Sequence, residues 1–256
     1  MRLKDKSIIV TGSTTGIGEA IARRCVAEGA QVLIHGRDQQ RGEQVAASLG
    51  GAAALHIDDL ADSAAPARIA AAAMDAFGRI DSVVNNAGWV VRSDIDTTDA
   101  KFFDEVMAVN TRGPMLLIQA AIDQLRKNRG AVLNIGSVNA YCGEPTLLAY
   151  SVSKGALMTM TRNLADGLCA EGVRVNQLNI GWVLTPNEAA LQRADGQPED
   201  WDRRLPKMFA PSGRLIKPEE IAAAVVYWVG DESRPISGSV LELEQYPMIG
   251  RNPAKV

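Results

Sequence analysis

The sequence predicts an α/β protein: a doubly wound (Rossmann) parallel sheet of about seven strands with helices on both faces. Three observations predict it. Short β-branched runs alternate with longer stretches of helical periodicity along the chain, as in repeated β-α-β units. The strand candidates are apolar throughout rather than alternating, the pattern of strands covered on both faces. A glycine-rich turn sits directly between the first strand and the first helix, where a doubly wound sheet binds its ligand.

Element by element, SIIV (7–10) reads as a strand and IGEAIARRCVAEG (17–29) as a helix stopped by Gly29. QVLIH (31–35) is a strand, followed by a helix ending at Gly50, and ALHI (54–57) is the next strand. Residues 63–78 form a helix with Pro66 in the first turn, where its missing N–H costs little. SVVN (82–85) is a strand, and a long helical pattern over 99–128 is interrupted near Gly113-Pro114. AVLNIG (131–136) is a strand, 150–170 a helix and RVNQLNI (174–180) a strand. After an irregular stretch come a helix at 218–229 and a last strand at SVLELE (239–244). No linker divides the chain, so 1–256 reads as one Rossmann-type domain.

The 256 residues are enough to bury a full core without staples. A net charge of −3, spread along the chain, argues against a nucleic-acid binder. Three scattered cysteines and two histidines, with no CxxC, argue against a disulfide framework or a metal site. Free, mostly buried thiols in a reducing compartment are the expectation. The apolar run Ile8-Ile9-Val10 is too short for a signal peptide, and no ~18-residue apolar run follows; a soluble, cytoplasmic protein is expected.

Four stretches carry chemistry. In TGSTTGIG (11–18), Gly12, Gly16 and Gly18 let backbone N–H groups approach a pyrophosphate at a helix N-terminus. At the end of the second strand Gly36 stands where an acid would hold the NAD ribose, and Arg37 follows. That favours NADP, with NAD as the alternative; Asp38 instead suits the cap of the next helix. NNAG (85–88) ends the fourth strand at the ligand crevice: Asn85 can tie neighbouring backbone, and Gly88 lets the chain pass close to a cofactor. Finally, Tyr150 and Lys154 lie four apart on one helix face, 13 residues after Ser137 at the end of the fifth strand.

TGSTTGIG, Asp59-Leu60, NNAG, Asn110, Ser137 and YSVSK (150–154) together resemble, in order and spacing, the short-chain dehydrogenase/reductase family, its short single-domain branch. The resemblance implies an oxidoreductase moving a hydride between a nicotinamide cofactor and a secondary alcohol or ketone. It implies Tyr150 as general acid/base, with a pKa lowered by the cation of Lys154 and by the oxidised nicotinamide. Lys154 would also hold the nicotinamide ribose, Ser137 the substrate oxygen, and Asn110 would kink its helix and hold a water leading from Lys154 to solvent. Cofactor contacts would come from Gly12, Ser13, Thr14, Thr15, Gly16, Ile17, Gly18, Arg37, Asp59, Leu60, Asn86, Ala87, Gly88, Tyr150, Lys154, Gly181 and Thr185, and no metal is needed. The family's proline before Gly181 is replaced by Ile180, and the glycine pair that with an acid usually ends its last strand is absent from LELEQYPMIGRNPAKV.

Residues 186–214, charged and holding four prolines, Gly196, Trp201, Met208 and Phe209, read as a substrate lid. Trp89, Asn139, Tyr141, Cys142, Trp182 and Asn187 are placed to face substrate, and the polar members point to a sugar or polyol. The alternatives are a 3-oxoacyl-type reductase and a catalytically silent dinucleotide sensor. The tail, 245–256, is expected to meet a neighbouring subunit in a homotetramer, or in a homodimer as the alternative.

Overall fold

A computed structural model describes residues 1–249; of the tail, residues 250–256 lie outside the described residues. Seven strands form one all-parallel sheet in the order β3-β2-β1-β4-β5-β6-β7. They are β1 (Ser7–Val10), β2 (Gln31–Gly36), β3 (Ala53–Ile57), β4 (Ser82–Asn85), β5 (Ala131–Ser137), β6 (Arg174–Ile180) and β7 (Val240–Leu243). The helices are α1 (Gly16–Ala27), α2 (Gln39–Leu49), α3 (Ala65–Phe77), α4 (Ala100–Met107), α5 (Gly113–Asn128), α6 (Asn139–Cys142), α7 (Leu148–Leu168), α8 (Pro186–Ala194) and α9 (Pro218–Val229).

Strand alternation divides the core in two. Ile8 and Val10 of β1 join Ile21 and Cys25 of α1 and Ile221 and Val225 of α9. Ile9, between them, joins Ile69 of α3 and Leu117 and Leu125 of α5 on the other face. The strand order reverses between β1 and β4, so the loops after these strands diverge and leave a crevice at their carboxyl ends.

Three local readings change. The break in the 99–128 helix falls at a π-helical turn, Ala108–Arg112, centred on Asn110, while Pro114 sits at the start of α5. The strands are not uniformly apolar: Asn134 of β5 and Asn176, Gln177 and Asn179 of β6 are buried. Asn176 donates to the Ile236 carbonyl (3.0 Å) and accepts the Ser239 N–H (3.0 Å); the others join a chain that runs through Asn85 and Thr161. Asn85 Nδ2 donates to Asn134 Oδ1 (2.8 Å), Asn134 Nδ2 to Thr161 Oγ1 (2.8 Å), Thr161 Oγ1 to Gln177 Oε1 (2.8 Å) and Gln177 Nε2 to Asn179 Oδ1 (2.7 Å). A buried polar group costs little once it is paired. The cysteines are free, but only Cys25 is buried; Cys142 and Cys169 lie exposed at helix ends.

Candidate active site

The crevice is a cleft of ≈ 880 Å³ above the carboxyl ends of β1, β2, β4, β5 and β6. Its floor is the 11–18 loop. Gly12 has φ +64°, and a Cβ there would stand 2.9 Å from the Ala87 Cα. A Cβ on Gly18 would strike the carbonyl of Gly12. Asn86 holds the loop by donating from Nδ2 to the carbonyls of Thr11 (2.9 Å) and Gly12 (3.2 Å). The tie expected of Asn85 therefore falls to Asn86, because Asn85 turns into the buried amide chain. From below, His35 Nδ1 accepts the N–H of Gly12 (3.4 Å); burial draws His35 down to about 4, so it is neutral at pH 7.

α1 begins at Gly16 with no side chain capping its first turn. Its N–H groups are left to an anion in the cleft, which suits a pyrophosphate. Thr14, Thr15, Gly16, Ile17, Gly18, Arg37, Asp59, Leu60, Asn86, Ala87, Gly88 and Thr185 all line the cleft, so the residues present fit a dinucleotide. Two members of the expected cofactor set stand outside it. Ser13 is fully buried and spends its hydroxyl between the Val10 carbonyl (2.7 Å) and the His35 N–H (3.0 Å). Gly181 is covered by the Glu244 carboxylate, which also accepts the Trp182 N–H (3.1 Å).

At the adenosine end a Cβ on Gly36 would meet Thr14 Cγ2 at 2.6 Å, so no acid fits at that position. Asp38 caps α2, accepting the Arg41 N–H (3.0 Å). Arg37 is largely exposed beside Asp59, at 3.7 Å.

Tyr150 is the third residue of α7 and is buried, as are Lys154 and Ser137. Lys154 Nζ lies 5.7 Å from the Tyr150 ring centre and donates to the Ile135 carbonyl of β5 (2.9 Å). Burial pushes the Tyr150 hydroxyl up to about 12, opposed by a hydrogen bond with Ser137 and reinforced by the charge of Glu188. Burial also draws Lys154 down to about 8. The resemblance implied that Lys154 and an oxidised nicotinamide lower Tyr150; among the protein's own groups, burial of the phenol outweighs the Ser137 bond and produces a rise.

Asn110 accepts the Trp89 N–H (2.7 Å) and donates to the Trp89 carbonyl (3.1 Å) and Ser153 Oγ (3.0 Å). It clamps the chain after β4 to α7. A Cβ on Gly88 would stand 3.4 Å from Lys154 Nζ and 3.8 Å from Asn110 Oδ1, so the absent side chain leaves one point flanked by both groups.

On the substrate side, α8 and a short turn at Trp201–Arg203 occupy part of the stretch read as irregular. Trp182 stacks on buried Trp201 (5.5 Å between ring centres) and Trp89 tilts against Phe102 (5.6 Å). Asn187 and Glu188 line the cleft. Glu188, His35 and Ser153 were not among the residues expected. Thr185-Pro-Asn-Glu188 is a readable helix-start signature, but nothing in it says that the carboxylate also faces a cleft.

Residues 12–244 match the family model described as Enoyl-(Acyl carrier protein) reductase, and with the sheet, the cleft and the relatives below, the chain belongs to the short-chain dehydrogenase/reductase family. It is a nicotinamide-dependent oxidoreductase acting on CH–OH/C=O groups. It is 36% identical to a 2-(S)-hydroxypropyl-CoM dehydrogenase of Xanthobacter autotrophicus over 95% of this chain and 96% of that one. It is 35% identical to an NADP-dependent (R)-specific alcohol dehydrogenase of Lentilactobacillus kefiri over 93% and 94%. A 3-ketoacyl-(acyl-carrier-protein) reductase of Brucella melitensis, solved with NADH, superposes with a TM-score of 0.84 at 29% identity, over 94% and 97%.

Proposed function

We propose that this protein interconverts a secondary alcohol and its ketone with NADP(H), and that its substrate is a small hydroxylated molecule, a sugar or polyol. The observation that carries the reaction is the convergence of Ser137, Tyr150 and Lys154 at the carboxyl end of β5 beside the glycine loop. Tyr150 exchanges the proton with the substrate oxygen, and Ser137 orients that oxygen. Lys154 binds the ribose and, with Asn110 and a water at Gly88, connects the site to solvent. A nicotinamide cofactor supplies the hydride exchange and, when oxidised, a positive charge that favours the phenolate against its burial.

Gly36 supports NADP over NAD: β2 ends without an acid to hold the NAD ribose, and Arg37 stands exposed beside it. The NADP-dependent Lentilactobacillus relative agrees, while the NADH complex of the Brucella reductase keeps NAD as the alternative. That reductase also keeps a 3-oxoacyl substrate as a second reading. A silent sensor is disfavoured because the three catalytic groups are present.

One domain with 186–214 as its lid, a homotetramer and a cytoplasmic location complete the reading; a homodimer is the alternative assembly. Exposed Leu241 on the edge strand β7 and Met115 on α5 support assembly, which sedimentation would test. No helix among the described residues is long and apolar enough to cross a membrane. Nicotinamide absorbance with a panel of ketones, polyols and 3-oxoacyl thioesters, run with both cofactors, tests the function. Turnover of thioesters alone, or of nothing, would overturn it.

A further inference from the structure

Glu188 is the third residue of α8, and Thr185 Oγ1 accepts its N–H (3.0 Å). Its Oε1 accepts two hydrogen bonds, from Trp182 Nε1 (2.8 Å) and from Gln192 Nε2 (2.8 Å). Both donors are themselves fixed: Trp182 by stacking on buried Trp201, and Gln192 by its own burial. The frame therefore locks one carboxylate oxygen. Among the described residues, Oε2 takes no hydrogen bond and no Lys or Arg pairs with Glu188. The group lines the same cleft as Tyr150 and Lys154, close enough for its charge to be felt at the Tyr150 hydroxyl.

A helix-start carboxylate is often only a capping group. Here the frame does not need the charge, since the oxygen of a glutamine would accept from Trp182 and Gln192 equally well. A rigid, half-buried anion with one open oxygen is costly to keep without a donor, and the group lines the cleft that holds Tyr150 and Lys154.

We infer that Glu188 selects the substrate, its Oε2 accepting a hydrogen bond from a second hydroxyl close to the reacting carbinol. Vicinal diols and hydroxy ketones are then preferred over mono-alcohols, and substrates with an anionic group near the carbonyl are repelled. This rests on the reading of Tyr150 as the acid/base of an alcohol dehydrogenase.

The test compares kcat/KM for 2,3-butanediol and for 2-butanol in the wild type, Glu188→Gln and Glu188→Ala. Thermal melting and cofactor affinity show that each variant is folded. The wild type should prefer the diol at least tenfold, the usual scale of a charge-assisted hydrogen bond. Glu188→Gln should cut that ratio by roughly tenfold, mainly through KM for the diol, and Glu188→Ala at least as much. Oxidation of both alcohols with the same ratio in the wild type and Glu188→Gln would overturn the inference and leave the alcohol-dehydrogenase reading standing. Oxidation of neither by the wild type would overturn both.

Discussion

The two walls of the cleft are built by opposite means. The cofactor wall, residues 11–18 with 85–88, is mostly backbone: glycines with no room for a Cβ, a helix start without a side-chain cap, and Asn86 fastening the loops. The substrate wall, from Trp182 through α8, is mostly side chain: stacked tryptophans and a carboxylate held by an indole and an amide. A backbone wall fits one ligand shape and tolerates almost no substitution. A side-chain wall can be rewritten one residue at a time. From this difference we propose that cofactor binding is set by the first wall and substrate choice by the second.

The largest effect should come from the group that both walls share. Tyr150→Phe keeps the ring packing and removes the ionisable oxygen. Turnover should fall ~100-fold or more, the scale of lost general acid/base catalysis, while cofactor affinity holds. Wild-type turnover in this variant would break the comparison at its centre, because the walls would then not converge on Tyr150.

Lys154 shows what the convergence costs. Burial draws its pKa from 10.5 to about 8, so at pH 7 the folded protein holds a cation that it disfavours by ~3 kcal/mol, an upper bound. Between pH 8 and 10.5 the unfolded chain binds more protons than the folded one, so this penalty fades as pH rises. Lys154→Met should therefore melt several degrees higher than wild type at pH 7, with the gain shrinking by pH 9.5, while activity is lost. A melting gain that does not change with pH would mean that packing, not charge, is responsible.

Arg37 tests a side-chain contact beyond the backbone wall, at the adenosine end of the cleft. Arg37→Ala should weaken NADP(H) binding by ~10- to 100-fold, the worth of a charge-assisted hydrogen bond of roughly 1.5–3 kcal/mol. NAD(H) binding should barely change. Equal losses with both cofactors would assign Arg37 to the pairing with Asp59 instead.

The same contrast explains what the sequence disclosed. The fold was legible because strand and helix periods differ, and the cofactor wall because its glycines and NNAG mark backbone that must come close. Ser13 misled because its position in the loop says nothing about its hydroxyl turning inward to β1 and β2. The polar chain from Asn85 to Asn179 was hidden because a buried amide and an exposed one read alike until the partners are known. Glu188 was missed for the same reason: its role depends on Trp182 and Gln192, which are brought to it only by folding.

The smallest predicted effect concerns how the side-chain wall moves. α8 is tied to the rest of the cleft at its carboxyl end by Arg92, which pairs with Asp195 (2.8 Å) and reaches Thr146 Oγ1 (3.2 Å). Both charges are partly exposed, so the pair is worth ~1 kcal/mol at most. With this tie and the Trp182–Glu188 bond as its anchors, we propose that α8 opens locally more easily than the central strands, and that cofactor and substrate together close it over the cleft. Amide exchange of 186–214 should therefore be faster than in β4 and β5 in the free protein and slow on ternary-complex formation. Arg92→Ala should speed it by severalfold in the free protein and less in the ternary complex, where the ligands also hold the helix. If these amides are already as protected as the central strands without ligand, and neither ligand nor Arg92→Ala moves them, the segment is a fixed wall. Specificity would then lie in its static shape, and both walls would be equally rigid.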